Sequence, residues 1–137
     1  MNESDCIFCK IIKKGTPADF VYENDKVVAF LDIRPINKGH LLVVPKKHFT
    51  DMLATPDDVL AEISSVAKKI AAAAVKATNA DGFNIGMNNG AAAGQLVMHA
   101  HLHVIPRFSN DGLRHWPGKE LPKEEMQEIR NKIVKLL

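Results

Sequence analysis

The most constraining feature of the sequence is a short run in which histidine alternates with apolar residues. His99, His101 and His103 occupy positions i, i+2 and i+4. Because side chains alternate between the faces of a β-strand, this spacing predicts a strand with all three imidazoles on one face, neighbours being roughly 6 to 7 Å apart. Such a face suits a bound phosphate, since one ring nitrogen can attack phosphorus while its neighbours hold the oxygens. It also suits a metal ion.

The spacing of apolar residues predicts an α+β domain. Strands are predicted at residues 20–22, 26–31, 40–45 and 83–87, with the histidine run as the fifth. A short helix or a turn is predicted at 5–14, and helices are predicted at 56–78 and from 122 onward. The first two strands form a β-hairpin, and the third is apolar enough for burial on both faces. We therefore expect five mainly antiparallel strands with one long helix and a C-terminal helix.

The long helix carries clear start signals. Thr55 is expected to cap it, Pro56 fits its first position, and Asp57 and Asp58 suit the positive end of the helix dipole. Its apolar stripe predicts packing on the sheet. The alanines at 71–74 would also let a helix of a second subunit approach closely.

Length and charge limit the function classes. At 137 residues, we expect one domain over 1–137, with a C-terminal extension from about residue 107. The formal net charge of +2 gives no reason to expect a nucleic-acid partner. The polar residues 1–5 lead into no long apolar run, so neither a signal peptide nor a membrane partner is expected, and a cytoplasmic location is predicted.

Two further segments each allow two interpretations. Cys6 and Cys9 form a C-x-x-C pair, which is half of a tetrahedral zinc site or a redox pair. The redox interpretation needs a thioredoxin-like βαβ pattern, and none is visible. The small residues of 88–94 either form a plain turn or present backbone amides to a phosphate.

The run His99-Ala100-His101-Leu102-His103 resembles the His-x-His-x-His signature of the histidine triad, or HIT, nucleotide hydrolases and transferases. The resemblance covers nearly the whole chain. Further matching segments are residues 6–12, 29–33, 39–46, 88–90 and 94–95. His115-Trp116-Pro117 resembles the Hint branch of the family, the nucleoside phosphoramidate hydrolases. The resemblance implies a meander sheet and a homodimer.

The implied activity is displacement at the α-phosphate of a purine nucleotide phosphoramidate or a related AMP conjugate. His101 matches the nucleophile, which would form a covalent nucleotidyl-histidine and release AMP. A neutral imidazole adds no charge repulsion when it attacks an anionic phosphate. Its other ring nitrogen should donate to a backbone carbonyl. His103 matches a phosphate contact, and His40 matches a position behind the triad; taken alone, His40 would be a core histidine.

The resemblance also implies the nucleotide site. Asp32 matches the ribose-binding carboxylate, although a strand-end Asp can equally satisfy turn amides. The positions matching the apolar base slot, which by composition would pass as core, are Ile7, Phe8, Ile11, Phe30 and Ile33. The positions matching contacts near the sugar and phosphate are Asn88, Gly94, Gln95, Leu96 and His103. Leu96 departs from the family, which usually has a hydroxyl residue there, so the leaving-group preference is open.

The resemblance implies a structural zinc ion. Members with a C-x-x-C pair add a histidine after the Pro-Lys strand end and the first triad histidine, here His48 and His99. With Cys6 and Cys9 they would form a Cys2His2 site. The alternative is two free buried cysteines.

Other functions stay open from the sequence. One is a metallohydrolase whose metal is held by all three triad histidines, which is disfavoured because i and i+4 on a strand lie about 13 Å apart. Others are a dinucleoside polyphosphate hydrolase of the same family and a nucleotide-binding scaffold with little catalysis. The sequence identifies neither the leaving group nor the base.

Overall fold

The computed structural model describes residues 3–137 as an antiparallel sheet with helices on both faces. The strands are β1 Phe20–Glu23, β2 Val27–Leu31, β3 Leu41–Pro45, β4 Gly82–Gly86 and β5 Leu102–Arg107. The α-helices are α1 Ile7–Ile12, α2 Asp57–Thr78 and α3 Lys123–Leu136, with 3₁₀ turns at Glu3–Asp5 and Ala91–Ala93. The predicted α+β class and the five antiparallel strands are confirmed.

The strand order β1-β2-β3-β5-β4 puts the histidine strand inside the sheet. The order is sequential through β3, as in a meander. The chain then crosses the sheet through α2, and β5 returns between β3 and β4. His103 therefore has a strand neighbour on each side, Leu42 on β3 and Gly86 on β4. This central position gives the histidine a rigid backbone.

Helix α2 packs on one face of the sheet. Its buried residues are Ile63, Val66, Ala67, Ile70, Ala71 and Ala74. They meet Val27, Ala29, Leu41, Val43 and Val104 of the sheet in one apolar cluster. Two of the four alanines thus pack on the sheet of the same chain, while Ala72 and Ala73 are exposed.

The start of α2 differs from the prediction. The helix begins at Asp57 and Pro56 occupies the N-cap position. The Thr55 hydroxyl donates to the Asp51 carbonyl oxygen at 2.7 Å, so it does not cap the helix. The local turn at 51–55 competes for that hydroxyl. At the other end Asn79 adopts φ 56°, a left-handed conformation that ends the helix.

Helix α1 covers only part of the opposite face. The cluster beneath it contains Cys6, Phe8, Cys9, Ile11, Val28, Phe30, Leu42 and Val44. It lies over β2 and β3 and leaves the same face of β4 and β5 uncovered. An open pocket occupies that region.

The C-terminal region and the β4 edge expose apolar surface. Every residue of α3 is exposed, including Met126, Ile129 and Ile133. On the edge strand β4, Phe83 and Ile85 are 45% and 47% exposed. Among residues 3–137, no helix combines the length and the apolar character needed to cross a bilayer.

Candidate active site

The three histidines of the triad do not share one strand. Strand β5 begins at Leu102, so His103 is in the ladder while His99 and His101 precede it. The prediction of one strand carrying all three is wrong in this respect, because β3 ends its pairing with β5 at Leu102. His101 and His103 still lie side by side, with ring centroids 4.9 Å apart.

His101 is held in a single tautomer. Its Nδ1–H donates to the carbonyl oxygen of His99 at 2.7 Å, as predicted. The proton on Nδ1 leaves the lone pair of Nε2 available. Burial lowers the pKa of His101, although the bond to the His99 carbonyl partly opposes this shift. The edge of the Phe8 ring, 5.0 Å away between centroids, contributes to the burial. The imidazole is therefore neutral and nucleophilic at neutral pH.

His40 fixes the tautomer of His103 through a short chain of hydrogen bonds. The Ile36 backbone N–H donates to Nδ1 of His40 at 3.0 Å, so the His40 proton must be on Nε2. That Nε2 lies 2.9 Å from Nδ1 of His103 and donates to it. The proton of His103 is therefore on Nε2. Burial lowers the pKa of His103 to about 4, so His103 is a neutral hydrogen-bond donor.

The carboxylate of Asp32 accepts a hydrogen bond within a turn and also lies near His40. Oδ1 accepts from the Arg34 backbone N–H at 2.8 Å, which is the turn contact expected of a strand-end Asp. Oδ2 lies 3.7 Å from Nε2 of His40. The carboxylate thus keeps acceptor capacity beside the triad, which is compatible with the predicted ribose contact.

The predicted base slot is only partly open. Phe8, Ile11 and Phe30 are 7%, 8% and 3% exposed and belong to the apolar cluster under α1. Ile7 and Ile33 are 40% and 87% exposed. The first three are core residues in this structure, because α1 packs them against β2 and β3. Only the last two offer an open apolar surface.

Gln95 organises its loop. Its side-chain oxygen accepts from the Gly90 N–H at 2.8 Å. Its Nε2 donates to the carbonyl oxygens of Thr50 and Val97 at 2.6 and 3.1 Å. Both amide hydrogens are therefore in use, and a side-chain donation from Gln95 to a phosphate would require one of these bonds to break. The direct phosphate contact of Gln95 stays a prediction, and in this structure its side chain holds the loop together.

The loop before the triad is tightly closed on itself. The N–H groups of Ala93 and Gln95 donate to the Gly90 carbonyl oxygen, and that of Gly94 donates to Ala91. These amides cannot also bind a phosphate, so the plain turn describes this part of the loop better than a phosphate cradle. Asn88 lines the open pocket, and Leu96 is 90% exposed.

The predicted zinc ligands lie together. Nδ1 of His99 is 3.4 Å from Sγ of Cys6 and 3.5 Å from Sγ of Cys9, and Nδ1 of His48 is 3.3 Å from Sγ of Cys9. All four ligand atoms lie within 4.8 Å of one another. Sulfur and nitrogen ligands of one tetrahedral zinc ion are about 3.5 Å apart, so these residues fit the ion.

The tautomer of His99 agrees with this cluster. Its Nε2–H donates to the Pro45 carbonyl oxygen at 2.8 Å, which leaves the lone pair of Nδ1 directed at the cysteines. Burial and the neighbouring Cys6 raise the pKa of the Cys9 thiol to about 11, so a metal ion would be needed to make the thiolate at neutral pH.

A metal ion shared by all three triad histidines is excluded by these bonds. His99 directs its free nitrogen toward the cysteines, whereas His101 directs its free nitrogen away from the His99 carbonyl. A second group of metal-capable side chains, Asp32, His40 and His103, also exists. In it, however, Nε2 of His40 carries a proton, so it cannot coordinate an ion.

The open pocket lies beside His103. It has a volume of about 520 Å³ and is bounded by the uncovered face of β4 and β5 and by residues 113–116. His103 stands at its border, together with Asn84 and Asn88. His103 can therefore be reached from solvent on this side.

Comparison with known proteins agrees with the geometry. Residues 13–110 match the HIT domain family. The chain belongs to the HIT family. The predicted resemblance to its Hint branch is confirmed by relatives. This HIT protein is 42% identical to the Adenylylsulfatase HINT3 of Arabidopsis thaliana over 91% of its own length, and it spans 62% of that protein.

Two further comparisons extend over most of both chains. The HIT protein is 38% identical to the Adenosine 5′-monophosphoramidase hnt1 of Schizosaccharomyces pombe, covering 93% of this chain and 95% of that one. Its fold matches the crystal structure of a zinc-bound histidine triad family protein from Mycobacterium smegmatis with a TM-score of 0.79 and 38% identity, over 98% and 97% of the two chains.

Several residues that shape the site were missed at the level of sequence. Ile36 contributes a backbone N–H, which no side-chain pattern signals. Arg107 and Asp111 form an ion pair of 2.7 Å at the end of β5, and because residues 107–111 are not helical, their spacing gave no signal of it in the sequence. Arg114 lines the pocket together with Trp116 and directly precedes the segment 115–117 that carried the resemblance to Hint proteins.

Proposed function

We propose that this HIT-family nucleotide hydrolase or transferase acts on the α-phosphate of purine nucleotide phosphoramidates or related AMP conjugates, through a nucleotidyl-His101 intermediate. The observation that carries the proposal is the hydrogen bond from Nδ1 of His101 to the His99 carbonyl. It leaves a neutral imidazole with its Nε2 lone pair free, beside a fixed donor on His103. The names of two relatives, an adenylylsulfatase and an adenosine 5′-monophosphoramidase, support AMP conjugates as the substrate class.

The first step forms a bond between Nε2 of His101 and the α-phosphorus. The electron pair of the bond between phosphorus and the leaving group departs with the leaving group. An amine takes up a proton from solvent as this bond breaks, whereas sulfate or phosphate needs none. The imidazole becomes positively charged as it is phosphorylated, and the His99 carbonyl stabilises the proton that stays on Nδ1. The Nε2–H of His103 donates to a phosphate oxygen, while His40 keeps His103 in the donating tautomer. Water then displaces His101 from phosphorus and AMP is released.

Asp32 and two exposed isoleucines are proposed to hold the nucleoside. Asp32 has a carboxylate oxygen facing the histidines and can accept from ribose hydroxyls. Ile7 and Ile33 provide exposed apolar surface for the base. Asn88, which borders the pocket beside His103, is proposed to contact the sugar or phosphate. The Gly94 carbonyl oxygen accepts from the Asn88 side chain at 3.4 Å, and the apolar side chain of Leu96 offers no hydrogen bond that could select a leaving group.

A zinc ion held by Cys6, Cys9, His48 and His99 is proposed to have a structural role. When bound, it would supply charge neutralisation for two thiolates and tie the N-terminal segment to the triad. His48 faces Sγ of Cys9 with its Nδ1 at 3.3 Å, so Nδ1 is the ring nitrogen available to the ion, while its Nε2 is buried without a hydrogen-bond partner among residues 3–137. The ligands leave His101 and His103 free for the reaction.

We propose that the active form of the protein is a homodimer. A single domain and a cytoplasmic location are proposed as well. The edge of β4 exposes Phe83 and Ile85, and α3 exposes its apolar stripe. Apolar surface of this kind on an edge strand and an amphipathic helix is typical of a self-complementary interface.

The test is a rapid acid-free quench followed by mass spectrometry of the whole protein during turnover of adenosine 5′-phosphoramidate. We expect a transient adduct of one AMP that is stable to alkali and lost in acid, as a phosphohistidine is, and absent in His101→Ala. Turnover by the wild type without any adduct on the timescale of kcat would favour direct attack by water. Binding of AMP without turnover of any conjugate would instead indicate a scaffold.

A further inference from the structure

The pocket beside His103 has a charge pattern that bears on the leaving group. A group expelled from the α-phosphorus opposite His101 must leave on a side that is open to solvent. The uncovered face of β4 and β5, with the paired residues Asn84 and Ile105, forms one side of the pocket. The segment 113–116 forms the other side, so the pocket has room for a leaving group next to His103.

Arg107 contributes little free charge to this pocket. Its Nε and Nη2 donate to the two carboxylate oxygens of Asp111 at 2.7 and 3.1 Å. Its Nη1 donates to Asn84 Oδ1 at 2.7 Å. The Arg107 guanidinium and backbone N–H groups hold the pKa of Asp111 far below its usual range, so the pair is ionised and its charges cancel.

Arg114 is the cation that remains. It lines the pocket between Leu113 and His115, and no carboxylate is among the described residues that line the pocket. Within residues 3–137 no acidic group lies within ion-pair distance of the Arg114 guanidinium. The Arg107–Asp111 pair braces the turn before it, since Arg107 also donates to the Leu113 carbonyl oxygen at 3.3 Å. The pocket therefore presents one positive side chain on a braced wall.

We propose that this pocket receives the leaving group and that Arg114 makes the enzyme prefer AMP conjugates with an anionic oxygen leaving group, such as sulfate or phosphate, over conjugates with an amine. The inference rests on the proposed function and names the substrate class of the same site. A sulfate gains negative charge as its bond to phosphorus breaks, and a nearby guanidinium stabilises that charge. An amine takes up a proton together with the electron pair of the P–N bond, so it leaves without negative charge, and it is repelled once it is protonated to ammonium.

The protons that the two kinds of leaving group require also favour an anionic oxygen leaving group. When nitrogen of His101 bonds to phosphorus and the P–O bond to sulfate breaks, the electron pair stays on the sulfate oxygen and no proton is needed. An amine needs a proton as it leaves. Neither His40 nor His103 is protonated to imidazolium at neutral pH, because burial lowers the pKa of both. Leu96 supplies no hydroxyl.

The experiment compares kcat/KM for adenosine 5′-phosphosulfate and adenosine 5′-phosphoramidate, with AMP release as the readout. The proteins are the wild type, Arg114→Ala, Arg114→Lys, Arg114→Glu and, as a matched control, Arg130→Ala on the exposed helix α3. We expect the wild type to favour the phosphosulfate. Arg114→Ala should lower the ratio of the two kcat/KM values about tenfold, which is the order of one partly screened charge pair. Arg114→Glu should lower the ratio further, and Arg114→Lys should keep most of it.

Arg114 is exposed, so these variants should fold, and thermal melting checks this. A ratio unchanged by Arg114→Ala and Arg114→Glu, or a wild type that prefers the phosphoramidate, would overturn the inference while leaving the proposed function intact. Wild-type protein that turns over neither substrate would overturn the proposed function and the inference together. A drop of the ratio in Arg130→Ala equal to that in Arg114→Ala would also overturn the inference, since the effect would then be general to surface charge.

Discussion

Two histidine clusters meet at the triad and use the same side chain in opposite ways. In the closed cluster, defined by Cys6, Cys9, His48 and His99, His99 donates from Nε2 to the Pro45 carbonyl and turns Nδ1 to the cysteines. In the open cluster, His101 donates from Nδ1 to the His99 carbonyl and keeps Nε2 free. The open cluster is defined here as Asp32, His40, His101 and His103.

The comparison shows that the backbone carbonyl that accepts from each imidazole determines which of its two nitrogens is left with a free lone pair. A neutral imidazole has one donor and one acceptor nitrogen, so fixing the donor fixes the acceptor. The acceptor of His99 meets two buried sulfurs, whereas His101 lies next to His103, which borders a pocket of about 520 Å³. The closed cluster is therefore suited to holding the fold, and the open cluster is suited to chemistry on a ligand.

The largest expected effect comes from removing the nucleophile of the open cluster. His101→Ala should lower kcat/KM on the order of 10⁴-fold or more, while AMP still binds through the residues proposed to hold the nucleoside. Steady-state kinetics and calorimetric titration with AMP measure the two effects.

The matched variant is His103→Ala. It should cost less, roughly 10²- to 10³-fold, because it removes a donor to the phosphate and leaves the covalent route open. Sustained turnover by His101→Ala, or a larger loss in His103→Ala, would reverse the assignment of the two roles.

A substitution in the closed cluster should lower the free energy of unfolding and leave the catalytic activity unchanged. Cys6→Ala removes one of four proposed ligands, so we expect loss of bound zinc and a free energy of unfolding lower by at least about 3 kcal/mol. This corresponds to a fall of Tm of about 10 °C. Activity per folded molecule should be retained. Elemental analysis, thermal melting and kinetics at a temperature below both transitions test this.

Chelation provides the control for that variant. Wild-type protein treated with a strong chelator should melt near the temperature of Cys6→Ala, and the variant should not respond to the chelator. If wild-type protein purified without chelator contained no zinc, the proposed zinc-binding role of the closed cluster would be wrong.

The smallest expected effect is the pH dependence of the free energy of unfolding that arises because His103 is neutral in the folded protein. Its pKa in the folded protein is about 4, below the ordinary value of 6.5, because of burial. As pH falls from 6.5 toward 4, the unfolded chain therefore takes up a proton that the folded protein does not, and the free energy of unfolding decreases. Partial exposure to the pocket screens the effect, so we expect less than about 1 kcal/mol per pH unit.

His103→Gln should make this pH dependence shallower, because glutamine does not titrate. Urea denaturation at pH 7.5, 6 and 5 measures it. His115→Gln, a change of an exposed histidine, is the control and should leave the slope as in the wild type. A slope that is the same in His103→Gln and in the wild type would show that His103 is not held neutral by the fold.

Much of the fold could be predicted because local patterns and burial agree. The run 41–45 is apolar throughout, and β3 is buried along its whole length. Asn79 and the small residues after it end α2 where the pattern indicated. The capping role of Thr55 could not be predicted, since its hydroxyl is taken by a turn that only the folded chain forms.

The sequence by itself determined which residue types are available for chemistry and which segments become strands and helices. Alternation, apolar runs and the resemblance to the HIT family all depend on spacing along the chain, and spacing survives without coordinates. The sequence therefore identified four candidate metal ligands and the triad histidines.

Only the tertiary structure decided what each candidate does. The tautomers of His99 and His101 depend on the carbonyls that face them, and that of His103 depends on a backbone N–H at Ile36, relayed by His40. The side chain of Gln95 was drawn into its own loop, and Phe8 became part of the core. These outcomes are set by contacts between segments distant in sequence, because a hydrogen bond or a buried contact exists only where folding brings its two partners together.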